Sequence, residues 1–319
     1  MSEEKNIPQE QTRYFLVLKQ AAKYFGFKLR RLTPDGVIYE VYNNKESHRF
    51  NLSATEKNTA VLRKIAQNKL LATKVLGRLG FAVPQTIIVS NVKEAKDFLK
   101  KHKNIVVKPI DGSMGRGISI GITKAEDLKT AFSLARKNSR AGQVIIEEFI
   151  EGKDFRITII NQKYYFVAER VVAQVIGDGK SSITQLIEKE NKNRDVKNCL
   201  VMDEITEKVL SESGLNYDTI IKRREVVLLR KNANISTGGI GIDRTDEISP
   251  KIIRELLKMT KTIKANTVGV DILTNDISGN NYKIIEINTR PQMMSHHFPH
   301  VGKKRYPARE IMKMLFNIK

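Results

Sequence analysis

VVKPIDGSMGRGISIGI, residues 106–122, decides how the rest of the chain is read. Val106, Val107, Ile118, Ile120 and Ile122 are β-branched flanks, so the stretch predicts a strand, a glycine-rich loop and a second strand. Gly112, Gly115 and Gly117 leave backbone N–H groups uncovered and permit positive φ. Such a loop can fold over a polyphosphate while Lys108 reaches it from the strand end. A Walker loop carries its lysine after the glycines, and a dinucleotide fingerprint opens a helix; this loop does neither. A plain β-hairpin with a glycine turn satisfies the same residues, and the neighbouring segments weigh against it.

Upstream of the loop, a helix over Asn91–Lys101 opens with capping-box spacing from Asn91 to Glu94, behind a strand at Gln85–Ser90. Before that strand, Ala54–Leu79 reads as one helix with Leu62, Ile65, Leu76 and Leu79 apolar and Gly80 closing it. Lys69 and Lys74 lie on it. The chain begins with an amphipathic helix, Gln9–Phe25, whose stripe is Phe15, Leu18, Ala22 and Phe25. Strands at Phe27–Leu32 and Val37–Tyr42 follow, joined by Thr33-Pro34-Asp35-Gly36, and a third at His48–Leu52 completes a small α+β module over residues 1–66.

Downstream, a second capping box, Thr123 to Glu126, predicts a helix to Asn138, then a strand over Gln143–Phe149. Asp154–Ile160 pairs with Lys163–Val172 across an Asn161-Gln162 turn. Helices at Ile183–Lys192 and Met202–Glu212 lead to a strand at Glu225–Arg230 and a polar loop over Asn232–Asp246, long enough to suggest function. Ser249 caps a helix that has Pro250 at its first position and runs to Asn266. A last hairpin, Gly269–Thr274 with Tyr282–Asn288, precedes a C-terminal helix over Ala308–Asn317.

Because side chains alternate along a strand, Glu286 and Asn288 share one face while Ile285 and Ile287 turn to the core. Asp271 stands likewise between Val270 and Ile272. Two carboxylates and an amide oxygen make a hard oxygen site suited to Mg²⁺, which often takes one or two carboxylates plus nucleotide phosphates. A solvent-facing strand surface is the alternative for these residues alone. Together with the glycine loop they point to Mg·ATP.

At 319 residues the chain can hold two or three packed domains, with 40% hydrophobic and 29% charged residues. The net charge of +21 comes from lysines spread along the whole length, which suits solvated lysines with some anionic ligands or an acidic partner. No recognition element for nucleic acid is visible, so nucleic acid is not the expected partner. A single cysteine, Cys199, excludes an internal disulfide and a thiolate metal site. MSEEKNIPQEQ is polar and no apolar run reaches membrane-spanning length, so a cytoplasmic protein without a membrane partner is expected, as a homo-oligomer.

Six segments, in order, resemble the ATP-grasp superfamily, in particular the ATP-grasp domain of cyanophycin synthetase and the glutathione synthetase part of the bifunctional bacterial glutathione enzyme. They are NKLLATKVLGRLGFAVP (68–84), VVKPIDGSMGRG (106–117), EEFIEGKDFRI (147–157), VIGDGKSSITQLI (175–187), LRKNANISTGG (229–239) and EINTRP (286–291). The resemblance implies an α+β ATP-grasp fold, two α+β subdomains clasping ATP over residues 67–319, with the lid at approximately 104–175.

It implies site roles as well. Lys69 and Lys108 would contact the nucleotide, with Lys108 on the phosphates, and Ser113, Met114 and Gly115 would form the lid tip. Glu147, Glu148, Phe149 and Ile150 would hold adenine, and Asp154 the ribose hydroxyls. Asp271, Glu286 and Asn288 match the family's magnesium ligands, and Arg230 its cation at the transferred phosphate. The loop containing Asn234 and Ser236 would close over the reacting centre. Arg156 is placed either near the phosphates or in a structural ion pair.

The implied chemistry is carboxylate activation by ATP to an acyl phosphate, then amide formation with an amine. The substrate would be an amino acid or small peptide; a protein or peptide acceptor and a non-catalytic ATP-binding regulator are the alternatives. The sequence departs from the pattern in three places. Lys74 sits one place later than in the relatives, leaving Lys69 and Lys74 as alternatives. Arg290 replaces a small or neutral residue and is a candidate for a substrate carboxylate, or else a solvated arginine. His296, His297 and His300 lack a fourth ligand for zinc, so they line the substrate end, His297 among them, or pack under it. The sequence carries neither a γ-glutamylcysteine-forming domain nor a second ligase domain, so the carboxylate substrate is expected ready-made or from another protein.

Overall fold

The computed structural model describes residues 9–33, 37–111, 116–194, 199–231 and 238–319. Helix α1 (Gln9–Tyr24) is followed by β1 (Lys28–Arg31), β2 (Ile38–Tyr42), β3 (Ser47–Asn51) and β4 (Ala54–Thr55), an antiparallel sheet in sequential order. Leu18 and Ala22 of the expected stripe are buried. Pro34, Asp35 and Gly36 of the expected turn lie outside the described residues.

The helix expected over residues 54–79 is instead β4, α2 (Ala60–Ala66) and α3 (Lys69–Arg78). Asn68 explains the break: its backbone is extended and its side chain accepts the Leu71 N–H, so it caps a new helix. Lys69 thereby becomes the first residue of α3.

A second sheet carries the glycine loop. It contains β5 (Thr86–Val89), β6 (Ile105–Pro109), β7 (Ser119–Ile122) and β8 (Val144–Glu148) in the order β5-β8-β6-β7, with α4 (Val92–His102) and α5 (Ala125–Lys137) sharing its core. Asn91 caps α4 as expected. The Thr123–Glu126 box does not form, because the N-cap is Lys124 and has no side-chain hydrogen bond. Residues 112–115 of the loop lie outside the described residues. Both flanks of that loop are tied to the end of α5. The Asp111 carboxylate accepts from Ser139 Oγ at 2.8 Å and from the Ala141 N–H at 3.1 Å. Gly117, at φ +74°, passes so close that a Cβ there would lie 2.6 Å from Asn138 Cβ.

The central sheet contains β9 (Lys153–Ile160) and β10 (Tyr164–Val171), joined by the expected turn, in which Asn161 and Gln162 are left-handed. A small ribbon of β11 (Gln174–Ile176) and β12 (Val226–Leu228) follows, with α6 (Ile183–Asn191) and α7 (Glu204–Glu212) between its strands. Then come β13 (Ile240–Asp243), α8 (Pro250–Thr262), β14 (Thr267–Thr274), β15 (Lys283–Asn288), α9 (Met294–His297) and α10 (Pro307–Leu315). The five strands run in the order β13-β10-β9-β14-β15. Strand β13 lies inside the segment expected to be loop, and α8 stops short of Asn266, with Lys264 left-handed. Ile252, Leu256 and Met259 of α8 pack on Ile157, Ile159, Val268, Val270, Ile284 and Ile287 of the sheet.

The N-terminal module does not stand apart. Tyr14, Val17 and Leu18 of α1 share one core with Ile311, Met312 and Leu315 of α10 and with Met293. Asn58 adds a polar clamp: its Nδ2 donates to the Thr267 carbonyl at 2.6 Å, and its Oδ1 accepts from the Asn266 and Thr267 N–H groups. Asn58 is 3% exposed, so Asn58→Ala strands buried backbone groups and is expected to cost about 2–3 kcal/mol in urea unfolding. An unchanged midpoint would contradict this account of the join. Among the described residues no helix is long and apolar enough to cross a membrane.

Candidate active site

Strand register assembles the site. Asp271 on β14 lies opposite Arg156 on β9 and Glu286 on β15, so the three side chains share one face. The Arg156 guanidinium forks onto Asp271, with Nε donating to Oδ1 and Nη2 to Oδ2 at 2.8 Å. This places Arg156 in an ion pair, one of the two alternatives its position allowed. Arg170 on β10, opposite Asp154, donates through Nη2 to Asp271 Oδ2 at 3.0 Å and to both Asp154 oxygens, at 2.7 and 2.9 Å.

Burial alone would push the Asp271 carboxyl up, but the charges of Arg156 and Arg170 overcome it and hold the carboxyl below the ordinary range. Asp154 has mainly Arg170 against the same burial, and its carboxyl is raised. Gly269 makes room for this arrangement, since a Cβ there would lie 3.1 Å from Arg156 Cδ and 3.0 Å from Pro291 Cβ.

A β-bulge aims the next two donors. The β14–β15 register shifts between Asp271 and Ile272, so Asp271 pairs with Glu286 and Ile272 with Ile284, leaving Ile285 between them. Ile284 and Ile287 therefore enter the core, and Ile285, expected there, is only half-buried. Glu286 and Asn288 are half-buried, 3.4 Å apart through Oε1 and Nδ2.

Lys108 on β6 is buried, with Nζ 2.8 Å from Glu147 Oε1 on β8, and Thr86 Oγ1 donates to the other Glu147 oxygen at 3.0 Å. Lys69 lies within electrostatic reach of both groups of residues. Burial lowers its pKa, the charges of Glu286, Glu147 and Asp271 act in the opposite sense, and Lys108 adds to the lowering. Lys74, in the second turn of α3, is exposed. Lys69, Lys108, Arg156 and Arg170 are matched in number by Glu147, Asp154, Asp271 and Glu286, so the formal charges of these eight side chains cancel.

Glu148 bridges the two sheets, 3.7 Å from His102 Nδ1 and 3.6 Å from Lys283 Nζ on β15. The Glu148 and Phe149 N–H groups already donate to the Gln85 and Asn104 carbonyls. An adenine held at the expected hinge would thus draw on other groups of residues 147–150. Phe149 and Ile150 are half-buried beyond the end of β8.

Other expected residues are elsewhere. Arg230 is buried against the N-terminus of α7, donating to Thr206 Oγ1, to the Leu229 carbonyl at 3.1 Å and to Asp203 Oδ2 at 2.8 Å. None of these bonds reaches the charged cluster, and its buried Nε has no partner among the described residues. Arg290 is exposed, with Nη1 3.4 Å from Asn51 Oδ1. Ser113, Met114, Gly115, Asn234 and Ser236 lie outside the described residues.

His297 is buried at the start of α10, where its Nε2 accepts the Ala308 N–H at 3.4 Å, and His296 Nε2 is 2.9 Å from Thr158 Oγ1. They pack under the surface. Burial lowers the pKa of His296 to about 3 and that of His297 to about 4. The unfolded chain protonates nearer 6.5, so it takes up protons first as pH falls. The contribution is complete above about pH 6.5 and is lost toward pH 4, at about 3 kcal/mol for His297. Urea midpoints at pH 7, 5 and 4 should fall in that order, and His297→Gln should flatten the trend; a flat profile in the unmodified protein would contradict it.

Arg170 carries no motif and was not anticipated from sequence. The register signal was there, because an Asn161-Gln162 turn that pairs Ile160 with Tyr164 also pairs Asp154 with Arg170.

An ATP-grasp domain model matches residues 66–293. The chain belongs to the ATP-grasp family. The match starts just before Lys69 and extends past Asn288, so the whole charged cluster falls within the ATP-grasp segment. Cyanophycin synthetase of Synechocystis sp. is 39% identical over 223 residues, covering 66% of this chain and 26% of that protein. The bifunctional glutathione biosynthesis protein GshAB of Clostridium perfringens is 35% identical over 278 residues, covering 82% of this chain and 36% of that one. The crystal structure of a bifunctional glutathione synthetase from Pasteurella multocida superposes with a TM-score of 0.71 at 27% identity, over 99% of this chain and 45% of that one. The chain therefore spans roughly a quarter to a third of the length of these curated relatives. Its α+β architecture is the ATP-grasp fold.

Proposed function

We propose that this ATP-grasp chain is an ATP-dependent carboxylate–amine ligase that forms an amide bond through an acyl phosphate, acting on an amino acid or small peptide. The observation that carries it is the gathering of Lys69 and Lys108 with Asp271, Glu286 and Asn288 at the junction of two sheets. Lys108 and Lys69 bind the nucleotide phosphates, Lys69 being favoured over Lys74 by its carboxylate neighbours. Residues 147–150 take adenine, Asp154 the ribose, and the loop tip at 113–115 covers the phosphates.

Two carboxylates and one amide oxygen suit a hard cation, so Asp271, Glu286 and Asn288 would hold Mg²⁺, which supplies charge neutralisation on the phosphates. Asn288 and the nucleotide's phosphate oxygens would complete the set. A carboxylate oxygen of the substrate attacks the γ-phosphorus and ADP leaves; the amine then attacks the acyl carbon, and phosphate leaves with that oxygen. The protein contributes position and charge rather than a nucleophile. Arg230, whose buried Nε–H has no partner among the described residues, is the proposed donor to the acyl phosphate oxygens. Asn234, Ser236 and Arg290 are assigned to the substrate.

The same proposal divides the chain into an N-terminal module over 1–66 and an ATP-grasp unit over 67–319, with the lid at about 104–175. The +21 charge favours an acidic peptide or protein acceptor as the second reading. Incubation with Mg·ATP and pools of amino acids, dipeptides and polyamines, with phosphate release and product masses measured together, tests it. Substrate-dependent phosphate with a condensation mass is expected; ATP binding without turnover on any pool, including acidic peptides, would contradict it.

A further inference from the structure

The segment that leaves β15 is not held by the ATP-grasp unit alone. The Pro291 carbonyl accepts two hydrogen bonds from the N-terminal module, from Ser53 Oγ at 2.6 Å and from Tyr14 Oη at 3.3 Å. Tyr14 Oη also accepts the Met293 N–H at 3.1 Å, so one hydroxyl brackets the chain on both sides of Gln292. Ser53 is 1% exposed and Tyr14 3% exposed, so these bonds form away from water and competing partners.

The bracket lies close to the chemistry. Pro291 is three residues beyond Asn288, and a Cβ on Gly269 would lie 3.0 Å from the Pro291 Cβ and 3.1 Å from the Arg156 Cδ. Holding the Pro291 carbonyl thus fixes the end of the proposed metal strand and the ring that lies over Gly269. Arg290, immediately before it, is exposed, and its guanidinium lies near Asn51 of β3, two residues before Ser53. A planar guanidinium anchored by its backbone and beside an amide suits a carboxylate.

We propose that Tyr14 and Ser53 are positioning residues for the substrate end of the site. By fixing Pro291 they present Arg290 to a carboxylate of the amino-acid or peptide substrate, so the N-terminal module tunes substrate binding rather than nucleotide binding. This rests on the ligase proposal above.

The test uses the full chain as Ser53→Ala, Tyr14→Phe, Arg290→Gln and the Ser53→Ala/Arg290→Gln double variant. Phosphate release is followed against the concentration of the amino-acid and dipeptide pool, and separately against ATP. Ser53→Ala and Tyr14→Phe should each raise the half-saturating pool concentration about five- to tenfold, the size expected for one buried hydrogen bond, with half-saturating ATP nearly unchanged. Because Ser53 acts through Arg290, the double variant should be no worse than Arg290→Gln alone. A purely structural role predicts otherwise: additive effects, or pool and ATP half-saturation moving together, would overturn the inference while leaving the ligase proposal intact. An unmodified protein that releases no phosphate with any pool would overturn both.

Discussion

Replacing Asp271 with Asn is expected to abolish ADP formation and also to cost about 3 kcal/mol of stability, because the buried Arg156 guanidinium loses its carboxylate and Arg170 keeps only Asp154. Asp271 is 2% exposed and bonded to both Arg156 and Arg170, whereas Glu286 is half-buried and, among the described residues, bonds through its side chain to Asn288 at 3.4 Å. Glu286→Gln should therefore abolish ADP formation while shifting urea unfolding by no more than about 0.5 kcal/mol. The pair separates two roles that one face of the sheet combines. Since the folded carboxyl of Asp271 is depressed, its contribution is present above the ordinary carboxylate range and is lost as pH falls through the folded value. Asp271→Asn should flatten that acid limb. Full stability in Asp271→Asn would contradict the ion network, and ADP formation by Glu286→Gln would contradict the metal assignment.

Lys108→Met carries the second large effect. It leaves Glu147 buried without its cation, 2.8 Å away in the intact protein, which is expected to cost about 3 kcal/mol. Adding Glu147→Gln removes the stranded charge and should return most of that stability. Nucleotide binding should not return with it: the double variant is expected to bind ATP at least about tenfold more weakly than the intact protein, for want of a cation on the phosphates. Titration calorimetry with Mg·ATP and urea unfolding on the two variants make the measurement. Recovery of ATP affinity in the double variant would remove Lys108 from the phosphate site.

Much of this was legible in the sequence because it is local. Asn161-Gln162 forces a left-handed turn and so fixes a hairpin, and Asn91 caps its helix through its own side chain. Lys108 before the glycines and the Glu286-Ile287-Asn288 alternation single out, through spacing alone, residues that the ligase proposal uses. What escaped depends on long-range pairing. The fork of Arg156 onto Asp271 joins positions 115 apart, and Arg170 reaches Asp271 only because β9 lies between β10 and β14. The bulge that exchanges Ile285 for Ile284 at the core depends on the partner strand, and period-two alternation contains no trace of it. Strand β13 and helix α9 are too short, at four residues each, to develop a period. Asn68 was a visible cap inside an apolar pattern that outvoted it.

Oxygen tracing decides whether a substrate carboxylate is activated as an acyl phosphate. The protein would be turned over with Mg·ATP and an amino-acid and dipeptide pool labelled with ¹⁸O in its carboxylates, and the mass of the released phosphate read. Transfer through an acyl phosphate moves one carboxylate oxygen onto phosphorus, so phosphate carrying a single ¹⁸O is the predicted result. Phosphate released without label, while product forms or ATP is consumed, would contradict the account.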